Sequence, residues 1–190
     1  MVYVIAIDAP IGAGKSSLIA QLKDDYMCFQ EPVEEWSLLQ NFYDDMPTYS
    51  APFQFQVLFS FHKMYYTFKN VKDKVILERC PWTSKNIFTK MLFDNGHIKP
   101  SEYDLYCDFY NKVAFDVYLY IYLKVDTEIA YKRILNRDRA AERSLKFDYL
   151  DILNEKYNES IKTMPNVRIV DANRPLVEVK NEVMNILKNI

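Results

Sequence analysis

The chain has 190 residues, a length suited to one domain with a sizeable core, and its 49% hydrophobic and 26% charged residues exclude an intrinsically disordered chain. Lys and Arg total 24 against 26 Asp and Glu, a formal charge of −2, so no broad basic footprint for nucleic acid is expected. Only three glycines are present, and two of them, Gly12 and Gly14, stand one residue apart.

Residues 2–7 form a short β-branched run cut off by Asp-Ala-Pro, the pattern of a strand buried on both faces of a parallel sheet. A helix is predicted over about 14–23, and further short apolar runs follow at 27–29, 75–77, 117–124 and 167–170. The intervals are long enough for crossover helices, so the expected fold is α/β with a five-stranded parallel sheet. Helices are predicted over 52–68 and 83–93, from Ser101 and Asp104 onwards, and from Thr127 through Ile134 and Leu135. At the C-terminus Leu176, Val179, Val183, Ile186, Leu187 and Ile190 trace one apolar helix face. No repeat or Ser/Gly-rich linker interrupts this order, so one domain over 1–190 is expected.

Cys28, Cys80 and Cys107 are odd in number and widely spaced, which points away from a disulfide framework or zinc cluster and towards a reducing compartment. Neither a basic leader nor a run of about 18 apolar residues is visible, so a cytoplasmic location without membrane partners is expected. Neither His62 nor His97 has a metal-site partner at sensible spacing.

Asp8-Ala9-Pro10-Ile11-Gly12-Ala13-Gly14-Lys15-Ser16 stands where the first strand hands over to the first helix. This is close to G-x-x-x-x-G-K-[ST], whose backbone N–H groups wrap phosphate oxygens while the lysine reaches the β and γ phosphates and the serine holds Mg2+. Gly12, Ala13, Gly14, Lys15, Ser16 and Ser17 are therefore candidate phosphate-binding residues, with Ser16 a metal ligand. Ala9 occupies the place of the first glycine, which is acceptable only if its dihedrals suit a residue with a Cβ. After the second strand, Pro32 fixes the backbone and holds Glu31 at the carboxyl end of a strand, where ligands sit in open α/β sheets; Glu78 and Arg79 end the third strand near the same edge.

Gly-Ala-Gly-Lys-Ser, Glu-Pro-Val-x-x-Trp, the Glu-Arg pair and the Arg-x-x-x-Arg-x-Arg-x-x-Glu run from Arg133 to Glu142 occur in order over nearly the whole chain. Together they resemble the deoxynucleoside kinase family, that of deoxycytidine, deoxyguanosine and mitochondrial thymidine kinases and the broad-specificity insect enzyme. The resemblance implies a three-layer P-loop kinase with a lid at about 133–145, transferring the γ-phosphoryl group of ATP to the 5′-hydroxyl of a deoxynucleoside, with Mg2+ and as a homodimer. It assigns Glu31 to the catalytic carboxylate, Arg79 to an arginine near the reacting hydroxyl, Glu78 to the magnesium site and Lys15 to the phosphates. Arg133, Arg137 and Arg139 become lid arginines, Arg133 binding phosphate and the other two stabilising charge in the transition state; Glu142 accepts a bond from the sugar 3′-hydroxyl. Ala141 stands where many members carry a second glutamate.

The same resemblance gives Tyr43 to the 3′-hydroxyl, Gln54 to the base, Phe88 to base stacking, and Trp36 and Phe53 to pocket walls. Gln56 rivals Gln54, but residues two apart on a helix point about 200° apart, so only one can face the pocket. Where deoxycytidine and deoxyguanosine kinases resemble one another in carrying Arg and Asp, this chain has Phe61 and Ser84, which favours pyrimidine deoxynucleosides with thymidine included. A thymidylate kinase-like nucleoside monophosphate kinase is the alternative enzyme, but its anionic acceptor favours a cation where Glu31 would sit. A non-catalytic nucleotide switch is the third reading, opposed by the intact Glu31, Arg79 and lid run.

Overall fold

Five short apolar runs become five parallel strands in the computed structural model, which describes residues 2–137, 139 and 145–190. They are β1 (Tyr3–Asp8), β2 (Met27–Phe29), β3 (Lys74–Glu78), β4 (Leu119–Lys124) and β5 (Val167–Asp171), in the sheet order β2-β3-β1-β4-β5. The pleat sends alternate side chains to opposite layers. Ile5, Ile7, Ile76, Ile121 and Leu123 share a core with α1 (Lys15–Leu22) and α9 (Leu176–Lys188), through Leu18, Leu22, Val179, Val183 and Leu187. On the other side, Val4, Val75 and Leu77 pack against Phe68 of α3 (Met46–Phe68), and Tyr122 packs on Leu153 and Tyr157 of α8 (Phe147–Ser160). Burial of β1, β3 and β4 on both faces explains why these strands read as continuous apolar runs rather than as alternating patterns.

The remaining helices are a 3-10 turn (Val33–Glu35), α2 (Leu39–Asp44), the short α4 (Pro81–Thr83), a π-helical turn (Ser84–Thr89), α5 (Lys90–Asp94), α6 (Pro100–Val113) and α7 (Thr127–Arg137). Four differ from expectation. The helix predicted over 52–68 starts at Met46, because the Asp45 side chain accepts from the Thr48 N–H and Pro47 falls in the first turn; Pro52 then sits inside the helix, without its own N–H to donate. The predicted helix 83–93 is broken by the π turn. Neither α2 nor α8 was anticipated; α8 follows a charged stretch of sequence, and its buried face reduces to Leu150, Leu153 and Tyr157. The cysteines are free thiols, and no helix among the described residues is long and apolar enough to cross a membrane.

Because all strands are parallel, Asp8 and Glu78 end neighbouring strands at one edge, and Glu31 follows β2 at that same edge.

Candidate active site

The phosphate loop takes its shape from two left-handed residues, Gly12 at φ 84° and Gly14 at φ 94°. At Gly12 a Cβ would lie 2.4 Å from the Ala130 carbonyl oxygen of α7, so glycine is required there by both torsion and space. Ala9 is fully buried and lies outside the positive-φ region, so the missing first glycine does not strain the loop. The Lys15 ammonium donates to the carbonyls of Ala9 (3.1 Å) and Pro10 (2.9 Å), curled under the loop it serves. Burial, together with the nearby Arg79 charge, lowers its pKa to about 8.

Arg79 also takes the left-handed conformation, at φ 60° with a Cβ, which costs about 1–2 kcal/mol. Its backbone N–H still reaches Ile7 O at 3.0 Å, so the chain stays on the sheet while the side chain is thrown over the strand ends. There the guanidinium is held on every side. Nη1 donates to Glu31 Oε2, Nη2 to Ala9 O at 3.2 Å and Nε to the Tyr157 hydroxyl at 3.3 Å, while its carbon lies 4.8 Å from the Phe88 ring centroid. Tyr157 in turn donates to Asp8 Oδ1 at 2.8 Å, and Thr83 donates to Asp8 Oδ2.

Electrostatics separate the two partners of this ion pair. Burial alone would drive charge off Arg79, but Glu31 and the neighbouring acids overcome it and keep the guanidinium firmly protonated. The Glu31 side chain is only 5% exposed; burial pushes its carboxyl up to about 7, with Arg79 pulling the other way and Glu78 adding to the rise. Burial also raises the pKa of Asp8. Ser16 Oγ donates to Glu78 Oε1 at 2.7 Å, bringing a hydroxyl and a carboxylate together at the mouth of the loop.

One cavity joins these groups to an aromatic chamber. It is lined by Gly12, Gly14, Lys15, Ser16, Ser17, Glu31, Glu78 and Arg79 on the polar side and by Trp36, Tyr43, Phe53, Gln54, Phe61, Ser84 and Phe88 on the other, with Arg137 and Arg139 at its wall. Ala13 and Arg133 instead line a second cleft across the loop, with Asn136, Ala172 and Arg174. Arg133 donates to Ala13 O (3.3 Å) and Ala172 O (3.0 Å), so it ties the loop to the end of β5. Glu142 and Ala141 lie outside the described residues. Gln54 is buried in the first cavity, whereas Gln56 turns away to accept from Leu38 N and donate to Ser37 Oγ.

Sequence reasoning missed Asp8, Thr83 and Tyr157, and also Tyr149, whose side chain lines the first cavity. An acid ending the strand before a phosphate loop was a legible signal for Asp8. Tyr157 lies 149 residues from Asp8 and carried only the signature of a buried helix face.

A family model described as deoxynucleoside kinase matches residues 5–190. A relative in Invertebrate iridescent virus 3, named only as a kinase protein, is 58% identical over 190 residues, covering 100% of this chain and 98% of its own length. The solved structure of deoxyadenosine kinase from M. mycoides with products dCMP and a flexible dCDP superposes with a TM-score of 0.89 at 31% identity, over 98% of this chain and 100% of that one. More distant relatives are a thymidine kinase of Ictalurid herpesvirus 1 (strain Auburn), 27% identical over 97% of this chain and 85% of its own, and a deoxyguanosine kinase of Bacillus subtilis (strain 168), 28% identical over 84% and 79%. With a parallel sheet, a phosphate loop and a carboxylate–arginine pair facing one cavity, the chain belongs to the deoxynucleoside kinase family of ATP-dependent phosphotransferases.

Proposed function

We propose that this kinase prefers pyrimidine deoxynucleosides, thymidine included, and that Glu31 and Arg79 are its central catalytic pair. The observation that carries the reading is the chamber lining. Phe61 is 1% exposed, and the Ser84 hydroxyl is 2.8 Å from the Tyr106 hydroxyl, so neither position offers the base an ion. The relatives include thymidine, deoxyguanosine and deoxyadenosine kinases at 27–28% identity, so overall likeness does not choose the base and the pocket must. The M. mycoides deoxyadenosine kinase is solved with dCMP and dCDP, with dATP and with dCTP, so likeness to it does not choose the base either.

In the reaction, the nucleoside 5′-hydroxyl faces Glu31. A carboxyl with a pKa of about 7 is ionised in a large fraction of molecules at neutral pH and basic enough to take the proton as the new O–P bond forms. Arg79 spans from Glu31 to the loop carbonyl of Ala9 and so stands between acceptor and donor, where it balances charge on the transferring group. Lys15 exchanges its two carbonyl partners for β and γ phosphate oxygens, which raise its affinity for a proton and keep it cationic. The backbone N–H groups from Gly12 to Ser17 wrap the remaining phosphate oxygens. Arg137 and Arg139 approach from the cavity wall and stabilise developing charge. Phe88 stacks the base, Gln54 reads its edge, Trp36 and Phe53 close the sides, and Tyr43 with Glu142 holds the 3′-hydroxyl.

The adjacent hydroxyl of Ser16 and carboxylate of Glu78 are hard oxygen donors and suit Mg2+, which needs only one or two protein ligands beside phosphates and water. Bound there, the ion would neutralise charge on the donor phosphates. The lid over about 133–145, a single domain over 1–190, a homodimer and a location in the cytoplasm complete the reading.

The test is kcat/KM for thymidine, deoxycytidine, deoxyadenosine and deoxyguanosine with Mg·ATP. Higher values for the two pyrimidines are expected, and a purine preference overturns the assignment of the base.

A further inference from the structure

We infer that Thr89 is a specificity-determining positioning residue, whose hydroxyl fixes which end of the Gln54 amide is offered to the base. The inference rests on the reading of Gln54 as the group that meets the base edge. Thr89 ends the π turn, and its Oγ1 reaches back five residues to the Ser84 carbonyl at 2.8 Å. The same oxygen lies 3.3 Å from the terminal amide oxygen of Gln54. Thr89 is fully buried and Gln54 is 2% exposed, so water does not supply missing partners.

A hydroxyl has one proton; the Ser84 carbonyl and the Gln54 amide oxygen only accept, while the Tyr106 hydroxyl, which is also hydrogen-bonded to Thr89, can donate its own proton to one of the two Thr89 lone pairs and leave the other. The Ser84 carbonyl is nearer and is held by its own helix, and the Ser84 side chain is anchored to Tyr106 at 2.8 Å, so the Thr89 proton goes to Ser84. What remains on Thr89 towards Gln54 is a lone pair. An amide oxygen against that lone pair is left unpaired in a dry site, whereas the amide NH2 is satisfied by it. A half-turn of the terminal amide exchanges the two without moving another atom. The favoured arrangement therefore sets Nε2 on Thr89 and leaves Oε1 for the base.

Deoxycytidine and thymidine demand opposite amides. Cytosine presents an amino donor beside a ring acceptor, and thymine a carbonyl acceptor beside a ring N–H. An unconstrained glutamine turns to suit either, while one held by Thr89 favours one of them by about fivefold, the factor that corresponds to one net buried hydrogen bond.

The experiment measures kcat and KM for deoxycytidine and thymidine with Mg·ATP in the parent protein, Thr89→Val, Thr89→Ala, Thr89→Ser and Gln54→Leu. Val and Ala should move the ratio of the two kcat/KM values about fivefold towards one, through KM rather than kcat, and Ser should keep the parent ratio. An unchanged ratio in both Val and Ala, or an equal loss for both nucleosides, overturns the inference while leaving Gln54 in place if Gln54→Leu raises both KM values. Unchanged KM values in Gln54→Leu remove Gln54 from the base site, and the inference falls with it.

Discussion

Lowering the pH from 8 to 6 should switch off Glu31, and the size of the effect follows from its surroundings. The carboxyl is nearly enclosed, its pKa raised to about 7 by burial with Arg79 opposing, so it goes from about nine-tenths ionised to about one-tenth across that interval. A base works only when deprotonated; kcat/KM for the nucleoside at saturating Mg·ATP should therefore rise with pH through about 7, changing about tenfold per unit below it. Glu31→Gln should lower kcat by about 10²–10⁴-fold at pH 8, disturb nucleoside affinity much less, and flatten that acid limb. Stability offers an independent readout. A carboxyl raised from 4.5 to about 7 holds its proton longer folded than unfolded, so it lowers stability as pH rises through that window, and the Gln variant should lose this slope. A kcat within a few-fold of the parent, or an acid limb at pH 7 that persists in Glu31→Gln, would refute the role of Glu31 as base.

Two further substitutions probe the scaffold around this pair. Gly12→Ala puts a Cβ 2.4 Å from the Ala130 carbonyl at φ 84°; the torsion alone costs about 1–2 kcal/mol, and α7 must also move, so KM for ATP should rise and a thermal melt should fall. An unchanged KM for ATP would show that the loop does not need its left-handed turn. Tyr157→Phe removes a hydroxyl that bonds both Asp8 and Arg79 in a buried site; a loss of about 1–3 kcal/mol in urea unfolding and a fall in kcat larger than the change in nucleoside KM are expected. Parent-like stability and kcat would remove Tyr157 from the positioning of Arg79.

What the chain disclosed in advance was whatever local physics determines. Strands buried on both faces are written as continuous apolar runs, and each predicted run, those of the more exposed β2 and β5 included, lies in or overlaps one of the five strands. The phosphate loop was legible because its glycines answer to backbone torsions; Ala9 raised a question only because the motif does not say which positions need positive φ, and in the loop these are Gly12 and Gly14. Motif order across the chain was enough to place Glu31, Arg79, Gln54 and Phe88 around one cavity. The bonds of Asp8 to Tyr157 and of Thr89 to Gln54 were not legible, because contacts between distant segments leave no periodicity. The π turn was hidden too: it is a feature of hydrogen-bond register, which the apolar spacing of residues 83–93 does not encode. The expectation that Arg133 binds phosphate meets a residue whose Nη1 is bonded to loop carbonyls beside the second cleft, a tethering contact that spacing could not reveal.

A buried carboxylate beside the phosphate loop should direct phosphoryl transfer to a neutral sugar hydroxyl rather than to an anionic phosphate. Incubation with Mg·ATP and, separately, thymidine, deoxycytidine and thymidylate, with products resolved by chromatography, tests this most directly. Thymidine and deoxycytidine 5′-monophosphates are the expected products, with thymidylate left unphosphorylated. Conversion of thymidylate to the diphosphate without turnover of either nucleoside would contradict this choice of acceptor.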